Sequence, residues 1–305
     1  MKLVPAASQR PQVQTSAPMD RRLQVLTTCR ARDLPVFEIT ARQLVEQVPI
    51  SGICVVAPDR DCCKIRSRLK GAVQVLPENE FIPGMTMSEL RGLDVPGFPK
   101  GAGWYFQQFL KLQYAFVEPE DDYYLIWDAD TVPLRPMRFF DGAGRMLLTQ
   151  ATEFHAPYFE TYRRLFGEEA GREFSFIAQH IVVQKSVARE MLARIEQHVG
   201  GEGNWAWKIV RSLPRAGDNL FSEFETYGHY VKNHYPDRVA FVARPWLREG
   251  TQRVGGGVPS QSDLQNLAHE FDFVAFERAT TGWRRLAKLA QARLGQTTRK
   301  GGAGV

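Results

Sequence analysis

Apolar and polar positions alternate along this chain in blocks of strand length and helix length. Leu23 to Thr28 reads as a short strand, Leu34 to Gln47 as a helix, Ile53 to Ala57 as a buried strand and Asp59 to Leu69 as a basic helix. Val73 to Leu76 predicts a third strand. Between Phe81 and Lys100 the residues Pro83, Gly84, Gly92, Pro96, Gly97 and Pro99 interrupt any long element and predict a functional loop. Gly101 and Gly103 then open a helix to Val117. Tyr105, Phe109, Leu112 and Phe116 recur in it at helical spacing as one buried stripe, with Gln107, Gln108 and Lys111 on another side.

Tyr123 to Trp127 (YYLIW) is short and apolar throughout, the pattern of a central strand covered on both faces, as in a parallel sheet between helices. Arg145 to Thr149 and Phe176 to Val183 predict further strands. Pro157 to Phe166 predicts a helix, and Ser186 to Val199 another, with Val187, Met191, Ile195 and Val199 in line. The expected fold is α/β, one domain over residues 21–280 with a mainly parallel central sheet flanked by helices. Residues 1–20 hold too little apolar surface to offset the entropy of ordering and are expected to form a flexible arm. Residues 281–305 form a basic tail.

Composition narrows the class. Of 305 residues, 44% are hydrophobic and 24% charged, the balance of a globular protein rather than a disordered, collagen-like or membrane-bundle chain. The net charge of +5 suits an anionic partner. Much of the excess lies in the tail, which carries Arg284, Arg285, Lys288, Arg293, Arg299 and Lys300; no motif accompanies it that would point to nucleic acid. Leu286, Leu289 and Ala290 share one side of that segment, a pattern compatible with weak contact to an anionic membrane surface, although a solvated helix explains it equally. Cys29, Cys54, Cys62 and Cys63 show no zinc-site or redox spacing. With no secretory leader and no apolar run near the ~20 residues of a membrane span, a cytoplasmic protein is expected.

The chemistry concentrates after YYLIW, where Asp128-Ala-Asp130 follows the buried strand at the edge of the sheet at which open α/β folds bind ligands. In extended backbone, side chains two apart point the same way, so both carboxylates could meet one hard divalent cation, Mn2+ or Mg2+, which would relieve their repulsion. A turn is the plainer explanation, since Asp is common at strand ends and Pro133 and Pro136 follow.

Four blocks, Gly103 to Ala115 (GWYFQQFLKLQYA), Tyr123 to Leu134 (YYLIWDADTVPL), Ser175 to Leu192 and Phe221 to Val231, resemble the GT-A glycosyltransferases of the nucleotide-diphospho-sugar transferase superfamily. They are similar in particular to a bacterial glycosyltransferase family carried as a domain of unknown function. The resemblance implies a GT-A fold, a nucleotide-diphosphate sugar donor, a glycan or lipid-linked acceptor in cell-surface synthesis, and a metal held by Asp130 with Asp128 as its partner. It makes Thr27, Thr28 and Asp59 candidates for base or ribose contacts and His269, the latest His, a candidate third metal ligand. The alternatives are a strand end at Thr27 and Thr28 and a helix cap at Asp59.

Lys111, Arg244 and Arg248 are candidates for diphosphate oxygens. Ser222 and Glu225 have the spacing of a capping box, which leaves Glu223 as the candidate catalytic base or acceptor binder, kept ionised by the helix N-terminus. His180 is a candidate on the acceptor side, against a core histidine. Two rivals stand beside this reading. Asp128-Ala-Asp130-Thr131-Val132 also fits the nucleophile loop of haloacid-dehalogenase-like phosphatases, with Asp128 attacking phosphorus, and a catalytically inactive nucleotide-sugar-binding module would share the same residues.

Overall fold

A computed structural model of the chain describes residues 21–277 apart from 72, 94–97, 118–120 and 215–218. The arm and the basic tail lie outside the described residues. The strands are Leu23–Thr28 (β1), Ile50–Ala57 (β2), Gln74–Pro77 (β3), Tyr123–Trp127 (β4), Thr131–Pro133 (β5), Met146–Gln150 (β6), His180–Gln184 (β7), Val239–Ala243 (β8), Trp246–Leu247 (β9) and Phe273–Ala275 (β10). The helices are Leu34–Gln47 (α1), Asp59–Leu69 (α2), Met87–Arg91 (α3), Phe98–Gln113 (α4), Ala156–Phe166 (α5), Lys185–His198 (α6), Trp205–Ser212 (α7), Glu223–His234 (α8), Gly250–Arg253 (α9) and Gln261–Leu267 (α10).

The architecture is mixed α/β around a five-stranded sheet of order β3-β2-β1-β4-β7. Its first four strands are parallel, with Leu26 beside Cys54 and Ile126. The sheet is thus mainly parallel, as expected; β7 at its edge runs antiparallel to β4, pairing His180 with Trp127. β4 is central as its sequence required: Tyr124, Leu125, Ile126 and Trp127 are fully buried. Two small sheets complete the fold, β5-β10-β9 and the parallel pair β6-β8.

Local signals explain the best-defined elements. Asp59 and Asp61 lie in the first turn of α2 and Arg66 and Arg68 in its last, each complementing the helix dipole; Lys70 ends it with φ 44°. Three expectations need correction. The punctuated stretch after Phe81 contains α3, capped reciprocally by Thr86 and Glu89. The aromatic stripe of α4 holds through Leu112, but Phe116 lies in a following 3-10 turn and is 42% exposed. β7 begins at His180 rather than Phe176, because the Phe176 amide donates to Glu225 Oε2 at 3.0 Å instead of to a ladder partner.

Candidate active site at the edge of the parallel sheet

The chain leaves β4 at Asp128 and turns at once. The Thr131 amide donates to the Asp128 carbonyl at 3.1 Å, the Trp127 indole donates to the Thr131 carbonyl at 2.6 Å, and the Phe276 amide donates to the Asp130 carbonyl at 2.7 Å. The extended-strand argument for a shared side therefore does not apply, since Asp128 and Asp130 flank a turn. Burial first, then the charges of Asp128, Glu277 and Asp33, push the Asp130 carboxyl up to about 7. The Asp128 amide donates at 2.9 Å to the carbonyl of Gln179, which sits in the left-handed region at φ 62°. Strained backbone of this kind gathers at functional sites, and nothing in the local sequence announced it.

Behind Asp128 lies a buried ion cluster. Lys111 Nζ on α4 donates to Asp128 Oδ1 at 2.5 Å and to Glu223 Oε1 at 2.7 Å, with 4% of its side chain exposed. Expected on diphosphate oxygens, Lys111 is instead committed to two carboxylates. Glu223, the expected base or acceptor binder, opens α8 but is only 2% exposed. Burial raises its carboxyl, against the lowering by Lys111. Ser222 caps α8 by accepting the Glu225 amide at 3.3 Å; the reciprocal half of the expected capping box is missing, because the Glu225 carboxylate serves Phe176 and lies 3.3 Å from His229 Nε2.

A cavity of about 340 Å³ opens over the C-terminal ends of β1 and β2, lined among others by Thr28, Arg30, Asp33, Glu78, Arg91 and Trp104. Gly103 leaves room for this wall: a Cβ there would come within 2.7 Å of Arg30 Nη2. Burial raises the Glu78 carboxyl, partly offset by Arg30 and Arg91. Asp33 links the cavity to the acidic pair, since its charge reaches Asp130.

The remaining candidates scatter. Thr28 reaches the cavity, whereas Thr27 is fully buried and its Oγ1 has no hydrogen-bond partner among the described residues. Asp59 accepts the Asn79 amide through Oδ2 at 3.2 Å, fastening the turn after β3, and Pro58 holds the N-cap position of α2. His269 is not brought to the carboxylates. It is exposed beyond α10, and its carbonyl accepts from Arg135, past the far end of the β5–β10 ladder. The late acidic group beside Asp130 is Glu277, held by Arg248 Nε at 2.7 Å; Arg248 also pairs with Glu153. Arg244 donates to the Arg138 carbonyl at 2.8 Å. His180 is a core residue, stacked on Trp127 at 4.7 Å and hydrogen-bonded to Thr149 Oγ1, with burial pressing its imidazole down to about 3. No helix among the described residues is long and apolar enough to cross a membrane.

A family model described as "Family of unknown function (DUF6492)" matches residues 34–241, more than half of the chain. The chain belongs to the DUF6492 family. No curated protein matches this DUF6492 chain. Among solved structures, galactosyltransferase LgtC in complex with donor and acceptor sugar analogues aligns with 88% of this chain and 96% of its own, at 10% identity and a TM-score of 0.40. The apo form of mouse xyloside xylosyltransferase 1 aligns with 85% of this chain and 94% of its own, at 12% identity and a TM-score of 0.43. The 4-diphosphocytidyl-2C-methyl-D-erythritol synthase of Anaerococcus prevotii aligns with 83% and 98%, at 12% identity and a TM-score of 0.36.

Proposed function

We infer that this chain is a glycosyltransferase that moves a sugar from a nucleoside diphosphate donor to an acceptor. The observation that carries the reading is the placement of Asp128 and Asp130 at the C-terminal rim of a parallel sheet whose neighbouring strands end at a cavity bearing Arg30 and Arg91; neither aspartate lines it, but the charge of Asp33, which does, acts on Asp130. Open α/β sheets bind ligands at that rim. Arginines can fork onto diphosphate oxygens there, and a volume of about 340 Å³ is in the range of small-molecule sites.

The residues fit a hard divalent cation such as Mn2+ or Mg2+. Asp130 is held among negative neighbours that raise its carboxyl to about 7, and a cation is what that environment lacks. Both donors are carboxylate oxygens, which such ions prefer. Among the described residues no group of three His, Cys, Asp or Glu is arranged around one metal point; other positions would fall to water and donor phosphates. When bound, the cation supplies Lewis-acid stabilisation of the departing diphosphate.

The chain's own groups divide the remaining work. Lys111 keeps Oδ1 of Asp128 fixed and charge-compensated, leaving Oδ2 for donor or cation. Glu223 acts on Asp128 through Lys111, as a positioning residue rather than as the base, because its Oε1 is already taken at 2.7 Å. Arg30 and Arg91 would meet donor phosphates, and Asp33 and Thr28 the ribose side.

A panel of nucleoside diphosphate sugars, each with and without Mn2+, tests the reading by thermal shift and by release of the nucleoside diphosphate. One donor should stabilise the protein in a Mn2+-dependent manner, and Asp130→Ala should remove the dependence. Phosphate release from small phosphoesters, without response to any sugar donor, would replace this reading with a phosphatase using Asp128 as nucleophile.

A further inference from the structure

A flat aromatic surface stands open in the connection between β6 and α5. Phe154, between β6 and α5, is 47% exposed, and its ring stacks on Phe159 with centroids 5.0 Å apart and planes at 5°. Phe159 is 2% exposed, so the core backs one face of Phe154 and the other meets solvent. Phe116 is similarly exposed, but Phe154 differs in being stacked flat on a buried ring, which holds its outer face fixed as a platform.

Its surroundings tie it to the candidate active site from the β7 side of the sheet, across from the cavity over β1 and β2. The preceding residue, Glu153, is ion-paired with Arg248, which holds Glu277 at 2.7 Å; Glu277 follows Phe276, whose amide binds the Asp130 carbonyl. On the other flank, Thr161 Oγ1 of α5 donates at 2.6 Å to the Leu220 carbonyl, just ahead of Ser222 and Glu223.

We propose that Phe154 is the stacking platform for a pyranose ring of a glycan acceptor. A pyranose presents C–H groups of slight positive charge on one face, which suit the negative face of an aromatic ring. Its hydroxyls need hydrogen-bonding partners, and the adjacent Glu153, with 41% of its side chain exposed, supplies carboxylate oxygens. An acyl chain would need a continuous apolar groove, whereas the residues flanking Phe154 in the chain are polar: Thr152 and Glu153 are exposed before it and His155 is half-buried after it. The proposal rests on the glycosyltransferase reading and names the class of its acceptor.

The test is an oligosaccharide array probed with the wild-type chain and with Phe154→Ala, Phe154→Leu and Phe154→Trp, each checked for cooperative melting. At least one oligosaccharide should be bound, with affinity lowered tenfold or more by Ala and by Leu and retained by Trp. Leu keeps apolar volume without a flat ring, and so separates stacking from mere hydrophobic contact. Binding unchanged in the Ala and Leu variants, or no binding by wild type, overturns the platform. The donor panel on the wild-type chain reports separately: a Mn2+-dependent donor response with no saccharide binding sinks the platform alone, and saccharide binding through Phe154 without any donor response sinks the transferase reading alone.

Discussion

Lys111 Nζ lies 2.5 Å from Asp128 Oδ1, and the same nitrogen reaches Glu223 Oε1 at 2.7 Å. One buried cation therefore compensates two carboxylates from different elements, and its position over the Phe224 ring at 4.7 Å adds a cation–π contact. Replacing Lys111 by Met leaves both acids without a counter-ion. The expected loss is about 3–5 kcal/mol, the range for breaking a buried pair from one side, read as a lower urea midpoint. Adding Glu223→Gln to Lys111→Met should restore part of it, because one uncompensated charge is then removed. Equal instability of the single and double variants would count against this.

The Asp130 carboxylate is carried at some cost to the fold. Its half-buried carboxyl faces Asp128, Glu277 and Asp33. Asp130→Asn removes a repelled charge while keeping shape, so without added metal the variant should melt above wild type. A recovered ~1 kcal/mol corresponds to roughly 2–4 °C in a chain of this size. Its Mn2+-dependent shift with a sugar donor should vanish. A variant that melts lower and still responds to Mn2+ would contradict both parts.

How far the sequence foretold this site depends on the reach of each contact. β1, α1, α2 and β4 were legible because their signals are local: apolar runs, helical spacing and charged first and last turns. β5, β9 and β10 are two or three residues long and exist through long-range pairing, such as Ala275 with Thr131, which no local pattern records. Asp128 and Asp130 stood out because an apolar strand ends at them. Lys111 was visible only as a polar residue on an amphipathic helix; its partners lie 17 and 112 residues away. Glu277 was missed, and His269 was considered in its place, because proximity to Asp130 is set by the β5–β10 ladder.

His180 is expected to weaken the fold on the acid side. Burial presses its imidazole from 6.5 down to about 3, with the charge of Arg244 adding to the effect. The folded protein refuses a proton that the unfolded chain accepts below about 6.5, so this contribution is complete above that pH and is lost progressively as pH falls towards 3. Melting temperature should drop between pH 7 and pH 4.5. His180→Phe, which keeps a ring against Trp127, should show a shallower drop. Parallel profiles for the two proteins would remove His180 as the cause.

Gly228 fixes where α8, and with it Glu223, can lie. A Cβ at this position would fall 2.3 Å from Phe176 Cγ and 2.4 Å from its Cδ2, and Phe176 is itself 1% exposed. The ring cannot yield easily, because it packs edge-on to His229 at 5.0 Å and its backbone amide is tied to Glu225. Gly228→Ala gains helix propensity of about 1 kcal/mol, yet an overpacked core typically loses 1–3 kcal/mol; with contacts this short the clash should prevail. The variant is expected to melt lower than wild type, and to respond less to donor and Mn2+ if the helix shifts Glu223 away from Lys111. Combining it with Phe176→Leu, which removes the obstructing ring edge, should recover part of the stability. No recovery would show that Phe176 is not what holds the helix in place.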